Sequence, residues 1–149
     1  MKIYVASSWR NPFQSEVVTI CRELGHVVYD FRNPAPGDNG FHWSEIDPNK
    51  DWKTWDTAEY LLALKHPVAQ AGFDADFNAM KWADMMVLVS PCGRSAHLEM
   101  GWAVGAGKKT VYVLSAEDFE PELMVKMCYI VLPGIASFTD FLASQPPGT

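Results

Sequence analysis

Cysteine is scarce in this sequence, and its spacing fits no disulfide framework. The 149 residues contain only Cys21, Cys92 and Cys128, which lie far apart and form no C-x-x-C pair. An odd number of isolated cysteines favours reduced thiols, so we expect a cytoplasmic protein. Long apolar runs are also missing. The longest strongly apolar run, residues 85–89, is too short to cross a bilayer, and no signal-peptide pattern follows Met1, so we expect no membrane association.

Positive charge is in deficit as well. The chain has 12 Lys and Arg against 18 Asp and Glu, a formal net charge of −6. A long nucleic-acid groove requires clustered Lys and Arg, so we expect no nucleic-acid partner, although one or two arginines could hold a small anionic ligand. The histidines lack the spacing of a zinc site. The phosphate-loop, dinucleotide-binding and nucleophile-elbow motifs are absent, so we expect no metal and no cofactor.

The composition is that of one globular domain over residues 1–149, with a frayed tail at 144–149. Hydrophobic residues make up 48% of the chain and charged residues 20%. Hydrophobic patterning predicts strands at 3–6, 27–31, 85–89, 110–114 and 129–132. It predicts helices at 12–24 (with Asn11 as the N-cap), 54–65, 68–82, 95–106, 121–127 and 136–143. This alternation predicts a flavodoxin-like or Rossmann-like α/β fold, a doubly wound sheet of about five parallel strands in three α/β/α layers.

Ligands of such sheets bind beyond the carboxyl ends of the strands, where several polar loops of this chain are expected to converge. One loop follows the first strand and another follows the third; together they could hold a phosphate through hydroxyl and guanidinium groups. The candidate residues of these loops are Ser7, Ser8, Trp9, Arg10, Gly93, Arg94 and Ser95. The alternative for Arg10 is a weak ion pair at the surface.

Glu99 is the first candidate for catalysis. It follows a buried strand and a Gly-Arg-Ser turn, early in the predicted helix 95–106. The positive end of the helix dipole favours the ionised carboxylate, which suits nucleophilic attack on a sugar carbon. The alternative is a glutamate that only stabilises the helix entry. Gly101 and Gly105 are expected to let this helix pack closely on the sheet.

Asp76 is the second candidate. It shares a predicted helix face with Ala79, Met80 and Ala83, so its carboxyl points toward apolar surroundings. A carboxyl group in that position requires a partner, a raised pKa or a ligand. The alternative is a structural hydrogen bond.

A long aromatic loop separates the second strand from the following helix. Residues 33–53 are rich in Pro, Gly, Asn and Asp, and the loop and its flanks carry several of the six tryptophans. Loops of that length in compact domains are usually functional. We expect Asn33, Phe41, His42 and Trp43 to contact a ligand, with the aromatic rings closing as a lid over a planar base. The alternative is a small aromatic cluster beneath the loop.

Together these segments resemble the nucleoside 2-deoxyribosyltransferase superfamily, including its 2′-deoxynucleoside 5′-monophosphate N-glycosidase branch. The resemblance covers nearly the whole chain. It rests on the first strand with Tyr4, on Asp76 placed eight residues before Asp84, and on the segment 98–103 around Glu99. Gly93–Ser95, Glu117-Asp118 and the tryptophan-rich loop depart from the superfamily pattern.

The resemblance implies cleavage of the N-glycosidic bond of a nucleoside or nucleoside 5′-monophosphate, with the sugar passed to water or to another base. Glu99 would be the nucleophile, Asp76 would position the sugar or protonate the base, and Ser8 and Arg10 would hold a 5′-phosphate. Residues 120–124, with Glu122 and Met124, would reach the site of a neighbouring subunit in a homodimer or larger assembly. Two alternatives stay open, namely a Toll/interleukin-receptor-like NAD hydrolase and a non-catalytic nucleotide-binding module.

Overall fold

The computed structural model describes residues 1–115 and 120–146, and it divides into two compact units. One unit comprises Met1–Asp30 and Trp82–Thr149, and the other comprises Phe31–Lys81. The first unit contains all strands of the sheet, whereas the second contains the aromatic loop. A single domain over residues 1–149 stays a prediction. Among the described residues, no helix is long and apolar enough to span a membrane.

The helices and strands follow the predicted order, with shifts at their ends. The strands are β1 Lys2–Ala6, β2 Val27–Asp30, β3 Met85–Val89, β4 Lys109–Val113 and β5 Ile130–Leu132. The α-helices are α1 Gln14–Glu23, α2 Thr57–Ala63, α3 Pro67–Trp82, α4 Arg94–Gly105 and α5 Ile135–Ala143. Short 3₁₀ helices lie at Trp43–Glu45, Trp52–Thr54 and Leu123–Met127. The predicted helix 121–127 is therefore a 3₁₀ helix, and the predicted helix 54–65 is shorter than expected.

The five strands form one parallel sheet in the order β2-β1-β3-β4-β5. This is the flavodoxin-like order, whose switch point lies between β1 and β3. At that point β1 contacts β2 on one side and β3 on the other, so the chain leaves their carboxyl ends in opposite directions and opens a crevice. The predicted fold class is confirmed.

Alternating side chains along the strands separate the two faces of the sheet. On one face, apolar strand residues such as Ile3, Val5 and Val87 pack against α1 and α5. The helices contribute Val17 and Cys21 from α1 and Phe138 and Leu142 from α5. On the other face, α4 contacts β1, β3 and β4, and it buries Ala96, Met100 and Ala103. The sheet therefore lies between two helical layers, as predicted. Burial on both faces explains why β3 reads as a continuous apolar run.

Two local expectations are wrong. Helix α1 begins at Gln14, and its N-cap residue Phe13 makes no side-chain capping bond. Asn11 instead accepts the Phe13 N–H through Oδ1 at 2.7 Å, which holds the chain in a turn before the helix starts. Gly101 and Gly105 do not face the sheet; both are exposed, and a Cβ on either would meet no atom within 4 Å. The buried face of α4 is instead formed by its alanines and Met100.

The second unit consists of turns that lead into two helices. Helix α2 begins with a capping box, in which the Asp56 carboxylate accepts the Glu59 N–H and the Glu59 carboxylate accepts the Asp56 N–H. In α3, Gly72 leaves no room for a side chain, because a Cβ there would lie 2.8 Å from the Cβ of Phe41. This contact ties the aromatic loop to α3.

Candidate active site

The loop between β1 and α1 is fixed to the end of β3 by side-chain hydrogen bonds. The Ser7 hydroxyl donates to the Val89 carbonyl at 2.8 Å. The Asn11 amide nitrogen donates to the carbonyls of Val89 and Pro91, each at 3.0 Å. These bonds cross the switch point and hold the two candidate loops together. Ser7 was expected to bind a ligand and Asn11 to cap a helix, so this bridge was not predicted from the sequence.

The polar groups of the phosphate-binding prediction lie on these two loops. Arg10, Arg94 and Ser95 are exposed, and Ser8 is partly buried, with its hydroxyl accepting the Arg10 N–H at 3.2 Å. Gly93 is the N-cap residue of α4, and Trp9 is 42% exposed. Within the described part of the chain, Arg10 forms no salt bridge, so its alternative role in a surface ion pair finds no partner there. The two loops therefore present cationic and hydroxyl groups to solvent on one edge of the sheet.

A serine pair joins the carboxyl ends of β3 and β4. The Ser115 N–H donates to the Ser90 hydroxyl at 3.0 Å, and the Ser115 hydroxyl donates to the Ser90 carbonyl. Both serines are buried. This contact holds the segments that follow β3 and β4 together. The acidic pair Glu117-Asp118, which departs from the superfamily pattern, lies outside the described residues.

Glu99 lies in the second turn of α4 and is half-buried. Its charge acts on Cys92, in the loop that follows β3. Burial first, and then the charge of the Glu99 carboxylate, raise the pKa of the Cys92 thiol to about 12. The charge of Glu99 therefore acts on the loop that follows β3. Glu99 is neither sealed in the core nor turned out to bulk solvent.

His97, two residues before Glu99 on α4, contacts Tyr112 of β4, and neither residue was expected from the sequence to contribute to the site. The His97 Nδ1 donates to the Gly93 carbonyl at 2.9 Å. The His97 Nε2 is buried and has no hydrogen-bond partner within the described residues. The two rings meet edge to face at 6.1 Å. The spacing of His97 four residues after Gly93, across one helical turn, was the available signal.

Tyr4 is 1% exposed, and its ring stacks on Tyr29 with centroids 5.2 Å apart. Packing in the sheet accounts for this residue, and its contact with a ligand stays a prediction. Glu122 and Met124 are exposed at the start of the 3₁₀ helix Leu123–Met127. Their contact with a second subunit stays a prediction as well.

In the second unit, Asp76 is half-buried on α3, and the neighbouring Ala79 and Met80 are buried. The predicted face of the helix is therefore correct. Asn33 is exposed near the start of this unit. The catalytic role of Asp76 and the binding role of Asn33 stay predictions.

The aromatic residues of the loop contact one another. Phe41 meets Trp43 edge to face at 4.8 Å, and Trp43 meets Trp55 and Tyr60 at 5.8 and 5.9 Å. His42 is exposed, and its N–H donates to the Glu45 carboxylate at 3.0 Å. These contacts agree with the alternative given for this loop, a small aromatic cluster. Stacking of Phe41, His42 and Trp43 on a base stays a prediction. Among the described residues, no group of His, Cys, Asp and Glu could hold a metal ion.

Two solved structures have a similar fold. One, from Bacillus psychrosaccharolyticus, is of a 2-deoxyribosyltransferase; it gives a TM-score of 0.59 and 16% identity over 98% of this chain and 93% of that chain. The other is the Clostridium botulinum CMP N-glycosidase BcmB, with a TM-score of 0.52 and 15% identity over 95% of this chain and 98% of that chain. No protein-family model and no curated protein matches the sequence. At these identities the similarity shows a common fold over nearly the whole chain, and at that level it confirms the predicted resemblance.

Proposed function

We propose that this protein is an enzyme that cleaves the N-glycosidic bond of a nucleoside or nucleoside 5′-monophosphate, with Glu99 as the nucleophile. The observation that carries the proposal is the half-buried Glu99 of α4, whose charge acts on Cys92 in the loop that follows β3, one of the two strands at the switch point. The fold is also that of a 2-deoxyribosyltransferase and of a CMP N-glycosidase. Ligands of this fold class bind at that point.

In the proposed reaction, a Glu99 carboxylate oxygen forms a bond to C1′ of the sugar while the bond between C1′ and the base nitrogen breaks. The base leaves with the electron pair of that bond, and Asp76 either donates the proton it needs or positions the sugar. The transition state has oxocarbenium character, and the product is a glycosyl ester of Glu99. Water or a second base then forms a bond to C1′ and loses a proton, which Asp76 accepts where it acted as the acid, while the bond between C1′ and the Glu99 oxygen breaks and restores the carboxylate. The nucleophile that resolves the ester decides between hydrolysis and transfer.

The proposed substrate contacts come from the loops already described. Ser8 and Arg10 would bind a 5′-phosphate, together with Ser7, Trp9, Gly93, Arg94 and Ser95. Arg10 supports this role because it is exposed, and its backbone N–H donates to the Ser8 hydroxyl in the same loop. Tyr4, Asn33, Phe41, His42 and Trp43 are proposed to contact the sugar and the base.

We also propose a homodimer or larger assembly in the cytoplasm, in which residues 120–124 approach a neighbouring subunit. Exposed apolar side chains at this segment support the proposal, since Leu123 is 76% exposed and Met124 is 61% exposed. Sedimentation of the purified protein tests it, and a monomer at all concentrations would contradict it.

The test of the activity is base release from a panel of nucleosides, nucleoside 5′-monophosphates and NAD, followed by chromatography. Wild-type protein should release a purine or pyrimidine from at least one nucleotide, and Glu99→Ala and Glu99→Gln should abolish the release. Glu23→Gln is the matched control, because Glu23 is an exposed glutamate at the end of α1. Equal release by wild type and Glu99→Ala would refute the proposal, and release of nicotinamide from NAD would favour the NAD hydrolase. Tight binding without turnover would favour the non-catalytic module.

A further inference from the structure

The second unit contains a cavity of about 350 Å³, and Trp43 is the one lining residue to which the proposed reaction gives a role. Its walls are mostly aromatic, and its polar groups are a carboxylate and a hydroxyl; it is lined by Trp43, Trp52, Trp55, Asp56, Thr57 and Tyr60. The volume falls within the range of about 300–1,000 Å³ that is usual for small-molecule sites. Tyr60 is 45% exposed and Trp52 is 42% exposed, so the cavity opens to solvent. Such exposure of large aromatic rings around a hollow suggests a ligand.

The arrangement of the rings favours a compact ligand over a planar one. The plane of Trp43 is inclined by 83° to that of Trp55 and by 67° to that of Tyr60. These rings contact one another edge to face, so these pairs do not form the parallel slot in which a nucleobase stacks. Aromatic rings that line a cavity can instead attract a cation such as an alkylated ammonium.

The charge around the cavity favours a cation. Between Trp43 and Tyr60 the sequence carries five carboxylates and two lysines. Lys50 is bound by Glu59, and Lys53 lies over the Trp52 ring with its ammonium 5.6 Å from the centroid. That contact shows that the face of Trp52 accepts an ammonium group. No lysine or arginine lines the cavity in the described chain.

Asp56 supplies the negative charge inside the cavity. Its Oδ1 accepts the Glu59 N–H at 2.9 Å as the cap of α2, and within the described residues it forms no salt bridge. A metal ion would need several oxygen ligands, and no group of His, Cys, Asp and Glu that could hold one is present in the described chain. We therefore propose that the cavity lined by Trp43, Trp55 and Tyr60 binds a small organic cation with an alkylated ammonium group, neutralised by Asp56. This site goes beyond the proposed cleavage reaction, which uses only Trp43 among the lining residues.

Choline and its neutral isostere 3,3-dimethylbutan-1-ol provide the decisive comparison, because they have the same shape and differ in charge. Titration followed by tryptophan fluorescence and by calorimetry should show choline binding about tenfold or more tightly than the neutral isostere. A peptide carrying trimethyllysine tests whether the cation comes from a modified side chain, since it should then bind more tightly than choline. Equal affinity for choline and the isostere, or tighter binding of adenine than of choline, would overturn the proposal.

Two variants with matched controls locate the site. Asp56→Asn keeps a good helix cap and removes the charge, so it should weaken choline binding about fivefold or more and leave binding of the neutral isostere unchanged. Asp51→Asn is its control, because Asp51 caps the 3₁₀ helix Trp52–Thr54 without lining the cavity. Trp52→Leu should also weaken choline binding, whereas Trp82→Leu, which changes an exposed tryptophan outside the cavity, should not. Choline binding that survives both Asp56→Asn and Trp52→Leu would refute the assignment of the site.

Discussion

Asn11 is the residue whose replacement most directly tests how the candidate loops are held. Its side chain is 2% exposed and makes three hydrogen bonds, two donated to the carbonyls of Val89 and Pro91 and one accepted from the Phe13 N–H. Each such bond contributes about 0.5–1.5 kcal/mol net, so Asn11→Ala should lower the free energy of unfolding by about 3 kcal/mol. The Val89 carbonyl keeps a bond from Ser7, whereas the Pro91 carbonyl loses its donor.

Urea denaturation followed by circular dichroism measures this loss. Thermal denaturation is a second measurement. For a domain of this length, each kcal/mol of lost stability lowers Tm by about 2–4 °C, so Asn11→Ala should melt about 6–12 °C below wild type. Asn49→Ala is the control, because Asn49 is exposed and a surface substitution of this kind stays within about 0.5 kcal/mol of wild type. A loss below about 1 kcal/mol in Asn11→Ala would refute the bridge.

A second substitution separates the bridge from the turn. Asn11→Asp keeps the oxygen that accepts the Phe13 N–H and replaces the donor to Val89 and Pro91 by a second oxygen. Because that oxygen would face two carbonyls, the aspartate variant should be at least as unstable as the alanine variant. Wild-type stability in Asn11→Asp would mean that only the turn matters.

Four further predictions follow from single contacts. Arg10→Ala should weaken the binding of a nucleoside 5′-monophosphate by about 1.5–3 kcal/mol and leave the binding of the matching nucleoside unchanged. Arg22→Ala, at an exposed arginine of α1, should change neither affinity. Equal losses of affinity for both ligands would refute the phosphate site. Cys92 should react slowly with iodoacetamide at about pH 8, because the pKa of its thiol is raised to about 12. Glu99→Gln should speed the reaction by removing a charge that raises this pKa, and peptide mass spectrometry measures the rate. An unchanged rate would show that the charge of Glu99 does not act on Cys92. Burial, followed by the charge of the Met1 amino group, lowers the pKa of His26 below 6.5, so the folded state binds its proton less readily than the unfolded state. Its contribution to stability is therefore present above about pH 6.5 and lost as the pH falls, and Tm measured at about pH 7.5 and about pH 5.5 should drop less in His26→Gln than in wild type. Gly101→Ala should stabilise the protein by about 1 kcal/mol, because the new methyl group meets open space in a helix. Gly72→Ala should destabilise it, because the new methyl group meets Phe41. Urea denaturation that shows Gly101→Ala destabilising and Gly72→Ala stabilising would contradict both placements.

The fold was predictable from sequence because its signals are local. The run 85–89 is apolar at every position, and a strand buried on both faces requires that pattern. Alternation of such strands with helices then limits the topology to a few parallel arrangements. The place of Glu99 on α4 was predictable for the same reason, since a strand, a glycine turn and a helix follow one another in the sequence, whereas its catalytic role stays a prediction.

Contacts between distant parts of the chain were not predictable in this way. Asn11 precedes a helix, and a polar residue there usually caps it. Its partners Val89 and Pro91 lie almost eighty residues away and carry no sequence signal, because they contribute backbone carbonyls. The glycines of α4 misled for a related reason, since a small residue fits both a tight contact and open solvent.

The aromatic loop shows a further limit. Its composition indicated a ligand, but the identity of the ligand depends on the angles between rings that residues 43, 55 and 60 bring together. The sequence contains no periodic pattern in this segment from which those angles follow. The edge-to-face contacts of these rings could therefore not be predicted from the composition of the loop, and ligand binding by the loop stays a prediction.

The two outermost strands of the sheet are short, which limits aggregation by strand addition. β5 spans Ile130–Leu132 and β2 spans Val27–Asp30, so each rim offers only a few main-chain groups to a foreign strand. Pro133 follows Leu132 directly and has no N–H, which ends the ladder at that rim. Fibril growth by strand addition would gain little at either side, even though Tyr129 and Val131 are accessible. The apolar side chains near β5 can therefore stay uncovered without recruiting cross-β aggregates.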